Sequence, residues 1–170
     1  PDVVCYVNGI PLVVIEAKRP VSSTKDAAMV NEGISQHLRN QKTDGIQDLY
    51  AYSQLLLSIS GTDGRYATTG TPAKFWGAWT EEDITEAEMQ AVKSSPLSEA
   101  QRAALFADKP KWMRDDYDGL YSGPVWPTEQ DRLIISLLRP DRLLDLTRRG
   151  PRPSCPRYPT RSLMVVVRVA

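Results

Sequence analysis

Asp2, Glu16 and Lys18 are the residues of this chain whose types and spacing can do chemistry together. They flank two β-rich runs, Val3-Val4-Cys5-Tyr6-Val7 and Leu12-Val13-Val14-Ile15, which are separated by Asn8-Gly9, one of the strongest short hairpin signals. A hairpin brings all three charges to its open end. Runs that are apolar at nearly every position are buried on both faces, so charges at their ends need a reason. Two carboxylates can hold a divalent cation through hard oxygen ligands, and an ammonium beside them can face an attacking water. The structural alternative is a strand-end ion pair between Glu16 and Lys18, which as i,i+2 neighbours lie on one side of the strand.

Register decides whether the groups can meet. A two-residue loop at Asn8-Gly9 pairs residue i with 17−i and puts Asp2 and Glu16 on opposite faces. A three-residue loop, Val7-Asn8-Gly9 with Gly9 left-handed in a bulge, pairs i with 16−i. Asp2, Glu16 and Lys18 then share a face, with Asp2 opposite Val14. The three-residue loop is therefore the expected one.

Elsewhere in the first ~80 residues the pattern is mixed α/β. Ser22–Thr24 can cap a helix running to about Asn40, with Ala27, Val30, Ile34 and Leu38 on one stripe to pack against the sheet. Leu55–Ile59 reads as a third strand, ended by the turn residues Ser60–Gly64, with Arg65–Thr69 pairing back. After Trp79 the pattern turns helical. Starts are signalled at Thr80–Asp83, Ser98–Gln101 and Thr128–Asp131, and Pro140 fits the first turn of a helix over Asp141–Arg148. Phe75, Trp76 and Trp79 are expected in the core, and His37 on the surface or at a site rim. Cys5, in a buried strand, is expected to act as a small hydrophobe.

Composition narrows the chemistry. The chain has 170 residues with 21 basic and 21 acidic groups, and no apolar run approaches a membrane span. With two cysteines and one histidine, zinc clusters, disulfide frameworks and Ser/His/Asp triads lack their ingredients. Cytoplasmic, carboxylate-based chemistry remains. Residues 1–138 carry a net charge of −6 and residues 139–170 one of +6. From Gly150 the chain has no acidic residue and four prolines, reading as an extended arm: a phosphate-attracting segment, or a truncated or mistranslated end. The absence of an initiator Met before Pro1 points to a chain cut from something longer.

Pro1-Asp2-Val3-Val4, followed by Val7-Asn8-Gly9-Ile10-Pro11-Leu12-Val13-Val14-Ile15-Glu16-Ala17-Lys18, resembles the PD-(D/E)xK nuclease motif of the R (restriction) subunit of type I restriction enzymes. Ile46–Tyr52, Leu55–Ser60 and Gly64–Pro72 before Phe75-Trp76 continue the resemblance, which is specific over the first 80 residues. It implies a restriction-endonuclease-like α/β mixed sheet flanked by helices, truncated at its N-terminus. The implied divisions are a partial nuclease core over 1–80, a helical extension over 81–149 toward an absent motor domain, and the basic Pro-rich tail over 150–170.

By the same resemblance Asp2 and Glu16 are metal ligands with the Ala17 backbone carbonyl, and Lys18 orients or activates water. The implied ion is Mg2+ and the reaction DNA phosphodiester hydrolysis; ATP binding belongs only to the full-length subunit, since no phosphate-binding G-x-x-x-x-G-K-[ST] loop is present. The family's Gln-x-x-x-Tyr motif is matched by Gln36, while Asn40 takes the tyrosine position. Gln36 falls opposite the Ala27/Val30/Ile34/Leu38 stripe, facing either the site or DNA. Implied partners are double-stranded DNA and the modification (methyltransferase) and specificity subunits, with no membrane; Arg39, Lys42, Arg65 and Lys74 are candidates to line a DNA path. The alternative is a catalytically inactive fragment acting as a subunit-interaction module.

Overall fold

Asn8 and Gly9 both have positive φ, 51° and 81°, in the computed structural model of the chain, which describes residues 1–19, 26–79, 84–120, 125–149 and 165–169. Two consecutive left-handed residues make the tight two-residue turn whose twist matches the flanking strands. β1 (Val3–Val7) and β2 (Ile10–Lys18) accordingly close with Val7 opposite Ile10. The three-residue loop expected from the sequence is not formed. Between Tyr6↔Pro11 and Cys5↔Val13 one extra residue, Leu12, bulges from β2, and beyond it residue i pairs with 18−i. The sum 18 has the parity of 16, so even-numbered residues of both strands still share a face. The correction concerns the device, a bulge within β2 in place of a longer turn, and the partner, since Val14 lies opposite Val4 and not Asp2.

β3 (Leu55–Ser60) runs parallel to β2, with Glu16 beside Ser58 and Lys18 beside Ser60. The parallel pairing needs a crossover, supplied by α1 (Asp26–Asn40) and α2 (Gln47–Tyr52). β4 (Asp63–Ala67) returns antiparallel to β3 around Gly61-Thr62, placing Asp63 and Gly64 in the strand. Val165–Val169, at the end of the expected arm, pairs antiparallel with β1 as β5, giving the order β4-β3-β2-β1-β5. The rest of the tail lies outside the described residues, as do Ser22–Thr24 and Thr80–Asp83.

The chain forms two compact units: residues 1–83 with 128–170, and residues 84–127. In the first, the sheet is covered on both faces. Cys5, Val7, Val13, Ile15, Leu55, Leu57 and Ile59 meet Leu133 and Leu137 of α6 (Glu129–Leu137) and Leu143 of α7 (Pro140–Arg149). Val14, Leu56 and Ala67 meet Val30 and Ile34 of α1, Tyr50 of α2, and Trp76. Thr128 caps α6 in a reciprocal box with Asp131, and its hydroxyl also donates to the Gly61 carbonyl. Trp79 is half-buried, whereas Phe75, expected in the core, is 66% exposed beneath the Lys74 ammonium. It ends a short 3-10 turn, and the chain buries its neighbour Trp76 instead.

The second unit holds α3 (Glu86–Lys93), α4 (Glu99–Leu105) and α5 (Lys111–Leu120). Thr85 with Glu88 and Ser98 with Gln101 form capping boxes. Arg102 donates to both Asp118 oxygens at 2.7 Å, and the Leu97 N–H donates to the Tyr117 hydroxyl at 2.9 Å, tying α4 and its lead-in to α5. No helix among the described residues is long and apolar enough to cross a membrane.

α1 comes close to the sheet because Gly33 lacks a side chain. A Cβ there would lie 2.2 Å from Ser58 Oγ and 3.3 Å from Ser58 Cβ. Ser58 cannot yield freely: it is fully buried, and its hydroxyl donates to the Val30 carbonyl at 2.7 Å. Gly33→Ala is therefore expected to destabilise the fold by about 1–3 kcal/mol despite the gain in helix propensity. Urea unfolding measures this, and an unchanged midpoint would contradict the close approach.

Candidate active site

At the open end of the hairpin, the Asp2 N–H donates to the Ile15 carbonyl at 3.1 Å and Asp2 Oδ2 accepts from the Ala17 N–H at 2.7 Å. Residues 15 and 17 thus turn their peptide groups toward β1, and the Ala17 carbonyl leaves the strand on that same edge. Between them Glu16 points to the face covered by α1. Its side chain is 0% exposed, with Oε1 3.5 Å from the Pro1 ammonium and Oε2 3.7 Å from Lys18 Nζ. The Glu16–Lys18 ion pair is thus present, yet neither Glu16 oxygen has a hydrogen-bond partner. Burial raises the Glu16 pKa; the Pro1 ammonium opposes the rise, Asp2 reinforces it and Lys18 opposes it.

Lys18 is mostly buried and its ammonium donates to Gln36 Oε1. Gln36 therefore lies at the edge of the buried face of α1, not opposite it. The face is set by Val30, Gly33, Ile34 and His37, while Ala27, part of the expected stripe, is exposed. Replacing Ala27 by Gly33 and His37 rotates the stripe and carries Gln36 to Lys18. All four residues singled out for catalysis, Asp2, Glu16, Lys18 and Gln36, are gathered at this end of the sheet, with Ala17 between two of them.

His37, expected at the surface, is fully buried behind this site. Its Nε2 lies 2.9 Å from the Leu57 carbonyl, which can only accept, so Nε2 carries the proton; Nδ1 then accepts from the Tyr50 hydroxyl, also at 2.9 Å. Burial lowers the His37 pKa to about 4, against the opposing Leu57 carbonyl, so the ring is neutral near pH 7. Burial likewise raises the Tyr50 phenol to about 12, against an opposing hydrogen bond from Asn40. Asn40, at the position where the resembled motif has tyrosine, thus reaches a tyrosine from α2. Trp76 packs against the His37 ring at a centroid distance of 5.3 Å.

The basic candidates separate. Arg39, Lys42 and Lys74 are exposed, whereas Arg65 is held by the Asp63 carboxylate and the Gly64 carbonyl. Among the described residues no group of three or more His, Cys, Asp or Glu side chains gathers.

Residues 1–75 match the family described as the type I restriction enzyme R protein N terminus. That stretch contains the hairpin, the crossover helices, β3, β4 and every residue of the site. A Methanocaldococcus jannaschii chain named as the endonuclease subunit of the type I restriction enzyme MjaIXP is 32% identical over 76 residues. The matched stretch is 45% of this chain and 6% of that relative. No solved structure matches. The matched stretch therefore holds four of the five strands, β1 to β4, and the charged cluster, while β5 and residues 84–127 lie outside it.

Proposed function

We propose that this chain carries the endonuclease domain of a type I restriction R subunit, of restriction-endonuclease-like fold, and that it hydrolyses DNA phosphodiester bonds with a divalent cation, Mg2+. The observation that carries the reading is the Glu16 carboxylate, wholly buried beside Asp2, with neither oxygen hydrogen-bonded and only ion-pair contacts of 3.5 and 3.7 Å to the Pro1 and Lys18 ammoniums. A buried charge left without hydrogen bonds is costly unless something absent from the protein pairs with it. The donor set fits magnesium: two carboxylates and the Ala17 carbonyl are hard oxygen ligands, and so few of them leave positions for water and a phosphate oxygen. When bound, magnesium supplies charge stabilisation at the phosphate and lowers the pKa of water.

The residues divide the remaining work. Asp2 is fixed by the Ala17 N–H, so one oxygen is anchored while the other is available to the cation. Lys18 presents an ammonium to the attacking water and to the charge that grows on phosphorus. Gln36, accepting from that ammonium, holds its direction. The cluster is closed on the α1 side by burial, which strengthens each of these interactions over its value in water.

Residues 1–138 carry a net charge of −6, so this chain alone attracts DNA weakly, and recognition is assigned to the modification and specificity subunits. ATP-driven translocation is assigned to the remainder of a full-length R subunit, working in the cytoplasm. The rival reading, an inactive interaction module, draws on Trp112 and Trp126 in residues 84–127, 61% and 69% exposed.

The deciding experiment compares supercoiled plasmid incubated with the chain and with Lys18→Ala, with and without magnesium. Nicking that requires magnesium and falls by about a hundredfold or more in Lys18→Ala is expected. No cleavage by the unaltered chain, or cleavage indifferent to Lys18, favours the module and overturns the catalytic reading.

A further inference from the structure

Ser60 is the last residue of β3 and the register partner of Lys18 on the neighbouring parallel strand. Adjacent strands lie about 4.8 Å apart and alternate residues share a face, so the Ser60 side chain stands on the same face as Lys18, Glu16 and Ser58. Both serines are fully buried, but they differ in one respect. Ser58 donates to the Val30 carbonyl, whereas the Ser60 hydroxyl has no hydrogen-bond partner. Its neighbour on the other side, Asp63, is already committed to Arg65 and the Gly64 N–H.

A buried hydroxyl left unpaired costs about 1–3 kcal/mol, and native structures commonly resolve such a group with an ordered water. A buried water needs two to four polar partners. One register step away, Glu16 Oε1 and Oε2 are also buried and make no hydrogen bond. The Lys18 ammonium has three N–H groups, directed among the described residues to Gln36 and Glu16, which leaves one for a further acceptor. Unmet donors and acceptors therefore collect at the carboxyl ends of two adjacent strands.

We propose that Ser60 is a positioning residue of this site, its hydroxyl holding an ordered water against the Lys18 ammonium. The water fills the third donor direction of Lys18 and, with Gln36, fixes where the ammonium points. The place of the water follows from the unpaired groups alone; its kinetic consequence rests on the nuclease reading above.

The test is a high-resolution crystal structure of the chain and of Ser60→Ala, with cleavage kinetics of the same proteins and of Ser60→Thr. A water within hydrogen-bond distance of both Ser60 Oγ and Lys18 Nζ is expected, and its loss in Ser60→Ala. The melting temperature should be little changed. The turnover number should fall about tenfold in Ser60→Ala with KM for DNA unchanged, and recover in Ser60→Thr, which keeps the hydroxyl. Absence of the water, a Ser60 hydroxyl donating directly to a protein carbonyl, or unchanged turnover in Ser60→Ala each overturns the proposal. A chain that holds the water but cuts no DNA overturns the nuclease reading while supporting the water's place.

Discussion

Glu16→Gln is expected to reduce magnesium-dependent cleavage by about a thousandfold while leaving the melting temperature level or raised. The two effects have different origins. Cleavage is lost because a neutral amide is a poor ligand for a hard dication and no other described carboxylate joins Asp2 to replace it. Stability is kept because the change removes a charge whose burial already raises its pKa and whose oxygens make no hydrogen bonds. The cations that lose an ion pair have other recourse: Lys18 still donates to Gln36, and Pro1 is partly exposed. Parallel plasmid-cleavage and thermal-melting measurements check this. A melting temperature that drops steeply would instead make Glu16 the anchor of a structural ion pair, the bland alternative for the Glu-x-Lys spacing.

Acidification should weaken the fold through His37. An imidazole ordinarily titrates near 6.5, and burial holds this one at about 4, so between those values the unfolded chain binds one proton more than the folded chain. Stability contributed by the neutral ring is complete above pH 6.5 and falls as pH drops toward 4, at up to about 1.4 kcal/mol per pH unit. The total loss by pH 4 is about 3 kcal/mol, a large share of the stability of a domain this size. His37→Gln offers an amide N–H to Leu57 and an oxygen to Tyr50, but no proton to gain. Urea midpoints at pH 7, 5.5 and 4 should therefore fall less steeply in His37→Gln than in the unaltered chain. Parallel pH profiles would contradict the buried neutral ring.

Legibility in the sequence followed how local each signal is. The Asn8-Gly9 turn, the apolar runs of β1, β2 and β3, the Ser98 and Thr128 capping boxes and Pro140 at the start of α7 are each written within a few consecutive residues, and each forms. The Leu12 bulge has no such signature. It arises where Pro11, without an N–H, gives way to the regular pairing of β2, and only the whole sheet determines which register buries the apolar set. Asp2 and Glu16 share a face through the bulge in β2, not through the three-residue loop that strand parity alone suggests.

The burial of His37 was missed for a related reason. A stripe built on apolar residues alone took Ala27 and passed over Gly33 and His37, because a glycine and a histidine do not register as core residues. Their role appears only when the sheet opposite is known: Ser58 requires the missing Cβ, and the Leu57 carbonyl and the Tyr50 hydroxyl satisfy the ring. Once Gly33 and His37 are read as members of the buried face, Gln36 falls at its margin and its contact with Lys18 follows. The two central-strand serines, Ser58 and Ser60, could have been flagged from Leu-Leu-Leu-Ser-Ile-Ser, since polar residues on a wholly buried strand must find partners.

The most direct measurement is calorimetric titration of magnesium into the unaltered chain and into Asp2→Asn. The account predicts one site per chain, with affinity reduced at least about tenfold in Asp2→Asn, because Asp2 and Glu16 hold the cation jointly. Absence of binding in the unaltered chain, or equal binding in Asp2→Asn, would contradict it.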